Sequence, residues 1–532
     1  MTDTDRLDLQ PELAALPAPR RAVAAFRSIL FESEDGDVAA AQEPPFFSDL
    51  NFDQVVESIL ADRDEYDLKN FFYLPLRDVE AVEYRHEVFR DLERVVIREP
   101  VRAFGEAMRR TRQHLILSGK QRYRYEKERW FLDAAAVYCD AVSELRAALI
   151  DLRLSSRGLQ ALSSYLATYT TSAPFTSLMS EVRRVLDGLA GVKYGLRIKG
   201  GRVTVSAYQN EPDYSVEVEE TFARFRQGAV ADHLIKIPDA GSMDHVEAQI
   251  AEFVARLYPK EFKALDELCV RHGEFLDPHL ARFDREVQFY LAYLEYAERV
   301  AGAGVLFTYP TVSVSSKEIS VEDGCDIALA AKLASEGETV VVNDFFLQEP
   351  ERILVVSGPN QGGKTTFARM FGQLHYLAGL GVPVPARRAR LFLPDQVFTH
   401  FEKEEDIRTL RGKLDDELVR IREILEQATG DSVVTLNEAF ASTTLTDAVY
   451  LGKEVLKRIT ELGCLAVWVT FVEELASLNE VTASMVATVA PDDPSRRTFE
   501  IARQPADGRA YAWALADKYG LGYERLRARI SR

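Results

Sequence analysis

Ile353-Leu354-Val355-Val356-Ser357-Gly358-Pro359-Asn360-Gln361-Gly362-Gly363-Lys364-Thr365-Thr366 reads as a β-branched strand that breaks into a glycine loop and then enters a helix. With Gly358 and Gly363-Lys364-Thr365 at this spacing, backbone N–H groups can wrap phosphate oxygens. The Lys364 ammonium then reaches toward the β and γ oxygens, and the Thr365 hydroxyl is available to Mg²⁺. The same phosphates lie at a helix N-terminus, where the backbone dipole favours anions. A plain glycine turn is the simpler alternative, but strand and helix both stand where a phosphate loop needs them. The stretch predicts a nucleoside triphosphate with Mg²⁺ as the ligand, and the ATPase motifs below make it ATP.

At 532 residues the chain exceeds one ordinary core, so about two to four domains are expected. Apolar residues at 47% and charged residues at 28% describe a globular chain. No apolar run approaches a membrane span, and residues 1–21 lack the apolar core of a signal peptide, which predicts a cytoplasmic location. Cys139, Cys269, Cys325 and Cys464 show no metal-ligand spacing and read as inert free thiols. The net charge of −19 opposes a nucleic-acid partner, so any DNA contact must be a local basic surface on an acidic body.

Composition divides the chain into a polar tail (1–44), a helical region (45–190), a hairpin with long helices (191–301) and an α/β region (302–532). Apolar residues three and four apart mark the helices, as in Val55-Val56-Ile59-Leu60. Around Gly200-Gly201 the period changes to two, predicting a hairpin, and 214–218 is a candidate third strand. From Pro310 onward, short strands at 352–357, 432–436 and 465–470 alternate with helices, as in a parallel sheet covered by helices.

An ATPase of this kind needs a second buried strand ending in acidic groups. Ser432-Val433-Val434-Thr435-Leu436-Asn437-Glu438 supplies the strand and Glu438, with Asn437 where an aspartate usually assists Mg²⁺. Asparagine accepts a hydrogen bond from a metal-bound water but adds no charge.

Taken together, these motifs resemble the MutS-type ATPases of DNA mismatch repair, part of the ABC ATPase superfamily. The loop 358–366 is similar to the family's G-P-N-x-G-G-K-S/T-T, and Asp395-Gln396-Val397-Phe398-Thr399-His400-Phe401 with Glu405-Asp406 resembles D-x-I-F-T-R-x-G and its acidic end. Val342-Asn343-Asp344 resembles the strand before the loop, Thr443-Thr444 and Asp447 the turn after the second strand, and 508–522 the closing helix. Phe71-Phe72-Tyr73-Leu74-Pro75-Leu76-Arg77-Asp78 with Arg85 is similar to the entry of the lever domain. The resemblance implies a C-terminal ABC-type P-loop ATPase domain preceded by a mainly α-helical lever and clamp region with a small β-hairpin. It also implies a homodimer whose clamps close on DNA.

On this resemblance Glu438 orients the attacking water and Lys364 neutralises phosphate charge. Thr365 and Asn437 hold Mg²⁺, and Gly412 with Lys413 completes the partner's site. The departures are Asn437, Phe471 in place of a switch histidine, and Gly412 in place of a signature serine. They bear on hydrolysis more than on ATP binding. Helical sequence from about residue 45 leaves no room for the family's mismatch-reading domain, so branched or otherwise distorted DNA is the expected substrate. Phe104-Gly105-Glu106 has the letters of the mismatch wedge inside a helical pattern.

For DNA contact the candidates are the hairpin residues Lys199 and Arg202 and the basic stretch around Arg122 and Arg124, where arginines alternate with Tyr123 and Tyr125. A solvated helix face is the plainer reading of that stretch. Against a DNA-stimulated ATPase stand two rivals, a nucleotide-switched binding module with little turnover and a protein scaffold.

Overall fold

The computed structural model describes residues 26–32, 41–209, 243–402 and 412–506. The candidate strand 214–218, Glu405-Asp406 and the tail 508–522 lie outside the described residues.

The helical part contains α1 (Phe52–Leu60), α2 (Lys69–Tyr73), α3 (Val79–Leu92), α4 (Val95–Lys120), α5 (Arg124–Ile150), α6 (Arg157–Tyr169) and α7 (Ala173–Ala190). After the hairpin β1 (Tyr194–Lys199) and β2 (Arg202–Ala207) follow α8 (His245–Leu257), α9 (Pro259–Arg271) and α10 (Pro278–Ala301). Helix starts are written locally. Asp78, Ser156, Ser172 and Asp277 cap their helices through side-chain oxygens, and Asp244 with Glu247 forms a reciprocal capping box. At the hairpin tip Gly200 (φ 54°) and Gly201 (φ 75°) supply the left-handed pair that a tight two-residue turn needs.

The C-terminal part begins with β3 (Phe307–Thr308), β4 (Thr311–Ser313), β5 (Ile319–Gly324), α11 (Ile327–Glu336) and β6 (Asn343–Leu347). It continues with β7 (Ile353–Ser357), α12 (Lys364–Leu380), β8 (Val384–Pro385), β9 (Arg388–Phe392) and β10 (Val397–Phe401). It closes with α13 (Lys413–Gln427), β11 (Val433–Asn437), α14 (Leu445–Leu462), β12 (Leu465–Val469), β13 (Thr482–Ala490) and β14 (Asp493–Arg503). A six-stranded sheet runs β10-β11-β12-β7-β13-β14, parallel except for the last pair. A second sheet, β4-β9-β5-β6, is mixed. The alternation of strands and helices thus yields a mainly parallel sheet. It does not reveal the mixed sheet, or the antiparallel edge, where no helix separates β13 from β14.

Helix α12 is buried along nearly its whole length because it lies between the sheet and the helical part. Its hydrogen bonds to the helical part are directed mainly at the main chain, while Tyr376 packs its ring on Phe46, Phe47 and Phe52. Gln373 donates to Leu50 O (2.9 Å), Tyr376 OH to Phe72 O (2.7 Å) and Leu76 N to Gly379 O (2.6 Å). The wholly buried Arg85 of α3 donates from Nη1 to Leu380 O (2.7 Å) and from Nε to Leu30 O (3.3 Å), its guanidinium between the rings of Phe31 and Phe289. One apolar cluster therefore runs from Phe26 to Ile501 without a break between the two parts.

The assignment of 1–44 to a polar tail is corrected for residues 26–32. Phe26, Ile29 and Leu30 are core residues, Ser28 Oγ and Ile29 N both donate to Glu286, and Tyr290 OH donates to Ile29 O. The neighbouring acidic residues masked this short apolar insert in the composition.

His86 of α3 is buried against Tyr309, with Nε2 lacking a partner. Burial, helped by Arg90, pushes its pKa down to about 4. The unfolded chain therefore binds a proton at this residue between pH 6.5 and about 4 that the folded chain does not, so stability falls as pH falls through that window. In His86→Phe the melting temperature should decline less steeply from pH 6.5 to 4.5 than in the wild type; equal slopes would remove His86 as a contributor.

Candidate nucleotide site

The strand order brings the two nucleotide motifs together. Asn437 at the end of β11 is in register with Val469 of β12, and Val469 with Val356 of β7, just before the glycine loop. Within that loop Gly358 (φ 110°), Gln361 (φ 60°) and Gly363 (φ 91°) are left-handed. A Cβ on Gly358 would lie 3.0 Å from both N and O of Ala487, so glycine is required there for conformation and for space. Gly363 caps α12, and Lys364 is the first residue of that helix.

Lys364 is 5% exposed, and Nζ donates to Gly358 O (2.9 Å), Pro359 O (3.2 Å) and Asn360 Oδ1 (3.1 Å). Burial lowers its pKa; the nearby Glu438 carboxylate works against this shift and Arg497 adds to it. Glu438 has φ 55° and donates its N–H to Val469 O (2.8 Å). That turn aims the residue after the strand into a cavity of about 520 Å³ shared with Lys364, Thr365 and Thr366. The sequence-derived candidates Gln361, Gly363, Lys364, Thr365, Thr366 and Glu438 therefore line one cavity.

Asn437 is 7% exposed, and its Oδ1 has no hydrogen-bond partner. Asn437 is not among the residues that line this cavity. Its buried amide oxygen is an open acceptor of the kind a metal-bound water donates to, and with the Thr365 hydroxyl it would make a neutral donor set for Mg²⁺.

Other parts of the cavity escaped the sequence reading. Leu329 and Leu333 of α11, Val341 and Phe499 form an apolar wall, and Asn343 ties it together by donating to Phe499 O (3.2 Å) and accepting from Ile501 N (2.6 Å). Phe499 is a left-handed residue (φ 64°) within β14, a position no period-two pattern reveals. Asn343 alone carried a signal, as the asparagine of the strand before the loop.

The remaining candidates stand apart from the cavity wall. Gly412 is the N-cap residue of α13, with open space where a Cβ would be, so the fold leaves room for a serine. Lys413 pairs with Glu402, and the buried Glu417 of α13 accepts from Phe440 N (3.1 Å), tying this helix to the turn after Glu438. Phe471, after β12, is 44% exposed.

Among the DNA candidates, Lys199 and Arg202 are exposed on the hairpin and face each other across it. Arg122 is exposed beside Tyr123, whereas Arg124 is held by Glu128 and Asp266. Arg109, Arg112 and Arg129 are likewise paired with acids. Much of the basic stretch is thus charge-neutralised within the fold. Phe104 is 2% exposed inside α4 and cannot serve as a wedge.

Residues 354–516 match the family model for MutS domain V. This stretch, about a third of the chain, is similar to MutS domain V. Among its relatives is the DNA mismatch repair protein MutS of Psychrobacter cryohalolentis, 29% identical over 207 residues, or 36% of this chain and 20% of that protein. The DNA mismatch repair protein MutS of Brevibacillus brevis is 30% identical over 202 residues, 36% of this chain and 23% of that protein. Endonuclease MutS2 of Thermus thermophilus is 31% identical over 189 residues, 35% of this chain and 25% of that protein. The matched stretch thus spans a quarter or less of these MutS relatives. Among the described residues no helix is long and apolar enough to cross a membrane.

Gly358→Ala should lower stability by about 2 kcal/mol, since it adds a left-handed alanine to a close backbone approach. Urea unfolding checks this, and an unchanged midpoint would show that the loop relaxes freely.

Proposed function

We infer that this protein is an ATP-dependent DNA-binding protein of MutS type, in which ATP binding and hydrolysis move helical arms that close on distorted or branched DNA. The observation that carries the reading is the shared cavity of Lys364 and Glu438 at the end of a parallel sheet, within a MutS domain V. The relatives' names support action on DNA in repair.

In this mechanism the β and γ phosphates take over the three hydrogen bonds that Lys364 makes inside the loop. The exchange keeps a buried ammonium paired and brings its charge to the phosphates. Thr365 and Asn437 would hold Mg²⁺ directly or through water, and the ion would supply positive charge to the phosphates. Glu438 accepts a hydrogen bond from the attacking water and orients it for in-line displacement. Gly412 and Lys413 reach the partner subunit's site in a homodimer.

On the helical side, α8 packs on both β2 and α5, so the hairpin and the turn bearing Arg122 lie at the same end of the helical part. Lys199, Arg202 and Arg122 are the cations presented there to phosphates, while Arg124 contributes less because its charge is already paired.

A second reading is a nucleotide switch with little turnover, favoured by the neutral metal donor Asn437 and by Phe471. Steady-state phosphate release with and without duplex or branched DNA separates the two. DNA-stimulated turnover supports the enzyme; ATP binding with flat, near-zero release supports the switch.

Lys364→Ala should abolish ATP binding, whereas Glu438→Gln should retain it and lose at least tenfold in turnover. Filter binding and phosphate release check both, and unchanged affinity in Lys364→Ala would remove the site. Asn437→Asp should tighten the Mg²⁺ dependence of turnover severalfold in a magnesium titration.

A further inference from the structure

The antiparallel pair β13 and β14 forms a floor under the glycine loop. Ala487 of β13 backs two of its glycines: a Cβ on Gly358 would meet the Ala487 backbone, and one on Gly362 would lie 3.0 Å from Ala487 Cβ. Phe499 of β14 lies behind Gly363, its carbonyl oxygen 3.4 Å from where a Cβ would stand. Earlier in the same strand, Arg497 pairs with Val489, and the ladder is irregular on both sides of that pair. Arg497 is half-buried, and its Nε donates to Asn360 O (3.2 Å). An edge strand thus brings a cation to the loop, which the loop motif itself does not announce.

Lys364 and Arg497 hold the same corner of the loop through different atoms. Lys364 Nζ donates to Pro359 O and Asn360 Oδ1, whereas Arg497 Nε takes Asn360 O. Phosphate oxygens would replace the acceptors of Lys364, but the bond from Arg497 uses none of the atoms in that exchange and persists through it. Because a phosphate-loop lysine serves the β and γ phosphates, the Pro359-Asn360 corner marks the terminal-phosphate end of the loop. The charge of Arg497 is felt at Lys364, where the Glu438 carboxylate acts in the opposite sense. A cation held at that end attracts each negative charge arriving there, and a triphosphate brings more of them than a diphosphate.

We propose, resting on the reading of this cavity as an ATP site, that Arg497 is a positioning residue that makes the site prefer the triphosphate to the diphosphate. Its hydrogen bond keeps the Asn360 corner in place once Lys364 has turned to phosphate. Its charge favours the γ phosphate over an empty terminal position. The hydrogen bond serves both nucleotides, so the preference itself comes from the charge.

Filter binding of ATP and of ADP to the full chain with Mg²⁺ tests this, with thermal melting as the check on folding. Arg497→Gln keeps an N–H donor for Asn360 O and removes the charge. It should cut the preference for ATP over ADP on the order of fivefold, while affinity for ADP changes by less than about twofold. Arg497→Lys keeps the charge and should hold the preference within about twofold of the wild type. If Arg497→Gln does not fold, Arg497→Met, which keeps the aliphatic stem without charge, serves instead and should show the same loss of preference. A role confined to structure would weaken both nucleotides alike. An equal loss for ATP and ADP, or an unchanged preference in a folded charge-removing variant, would overturn the role of Arg497 and leave the nucleotide site standing. Binding of neither nucleotide by the wild type would instead remove the site itself, and the role of Arg497 with it.

Discussion

The architecture depends on one buried helix. Helix α12 starts at the lysine of the glycine loop, ends at Gly381, and is enclosed by the sheet on one side and the helical part on the other. From Met370 to Leu380 every residue of this helix is buried, so it is covered on every side and its polar side chains need partners inside the fold. Here the cover comes from both halves of the chain, which is why they share a single core. Specificity at the joint comes from hydrogen bonds to main-chain carbonyls at Leu50, Phe72 and Leu380. Each would leave a buried carbonyl unpaired if broken, at a cost of about 1–3 kcal/mol.

Within the nucleotide site, the arrangement follows from register as much as from motif. Parallel pairing places the ends of β7, β11 and β12 at the same edge, so groups 73 residues apart in sequence (437 − 364) open onto one side of the sheet. The left-handed Glu438 then turns its side chain toward the lysine. Low exposure strengthens the attraction between the two charges, and it also makes the lysine seek oxygen partners within the loop. On the proposed function, phosphate oxygens replace the acceptors that now surround the lysine.

Much of this was legible in the sequence, for identifiable reasons. The glycine loop and the strand ending in Asn437-Glu438 are local patterns, and local patterns survive without knowledge of the fold. The Gly200-Gly201 hairpin was legible for the same reason. What stayed hidden is nonlocal. Phe499 reaches the cavity through a backbone irregularity, residues 26–32 enter the core despite acidic neighbours, and β9 pairs with β4 and β5, which lie far away in sequence. Charge density misled in the opposite direction: arginines from 109 to 129 look available to a polyanion until Glu65, Asp266 and Asp284 are placed beside them.

Arg85 gives the long helix a second function. Its guanidinium holds the last carbonyl-bearing turn of α12 while the first residue of the same helix faces the glycine loop. The 17-residue helix thus forms a continuous covalent and hydrogen-bonded connection between the glycine loop and α3.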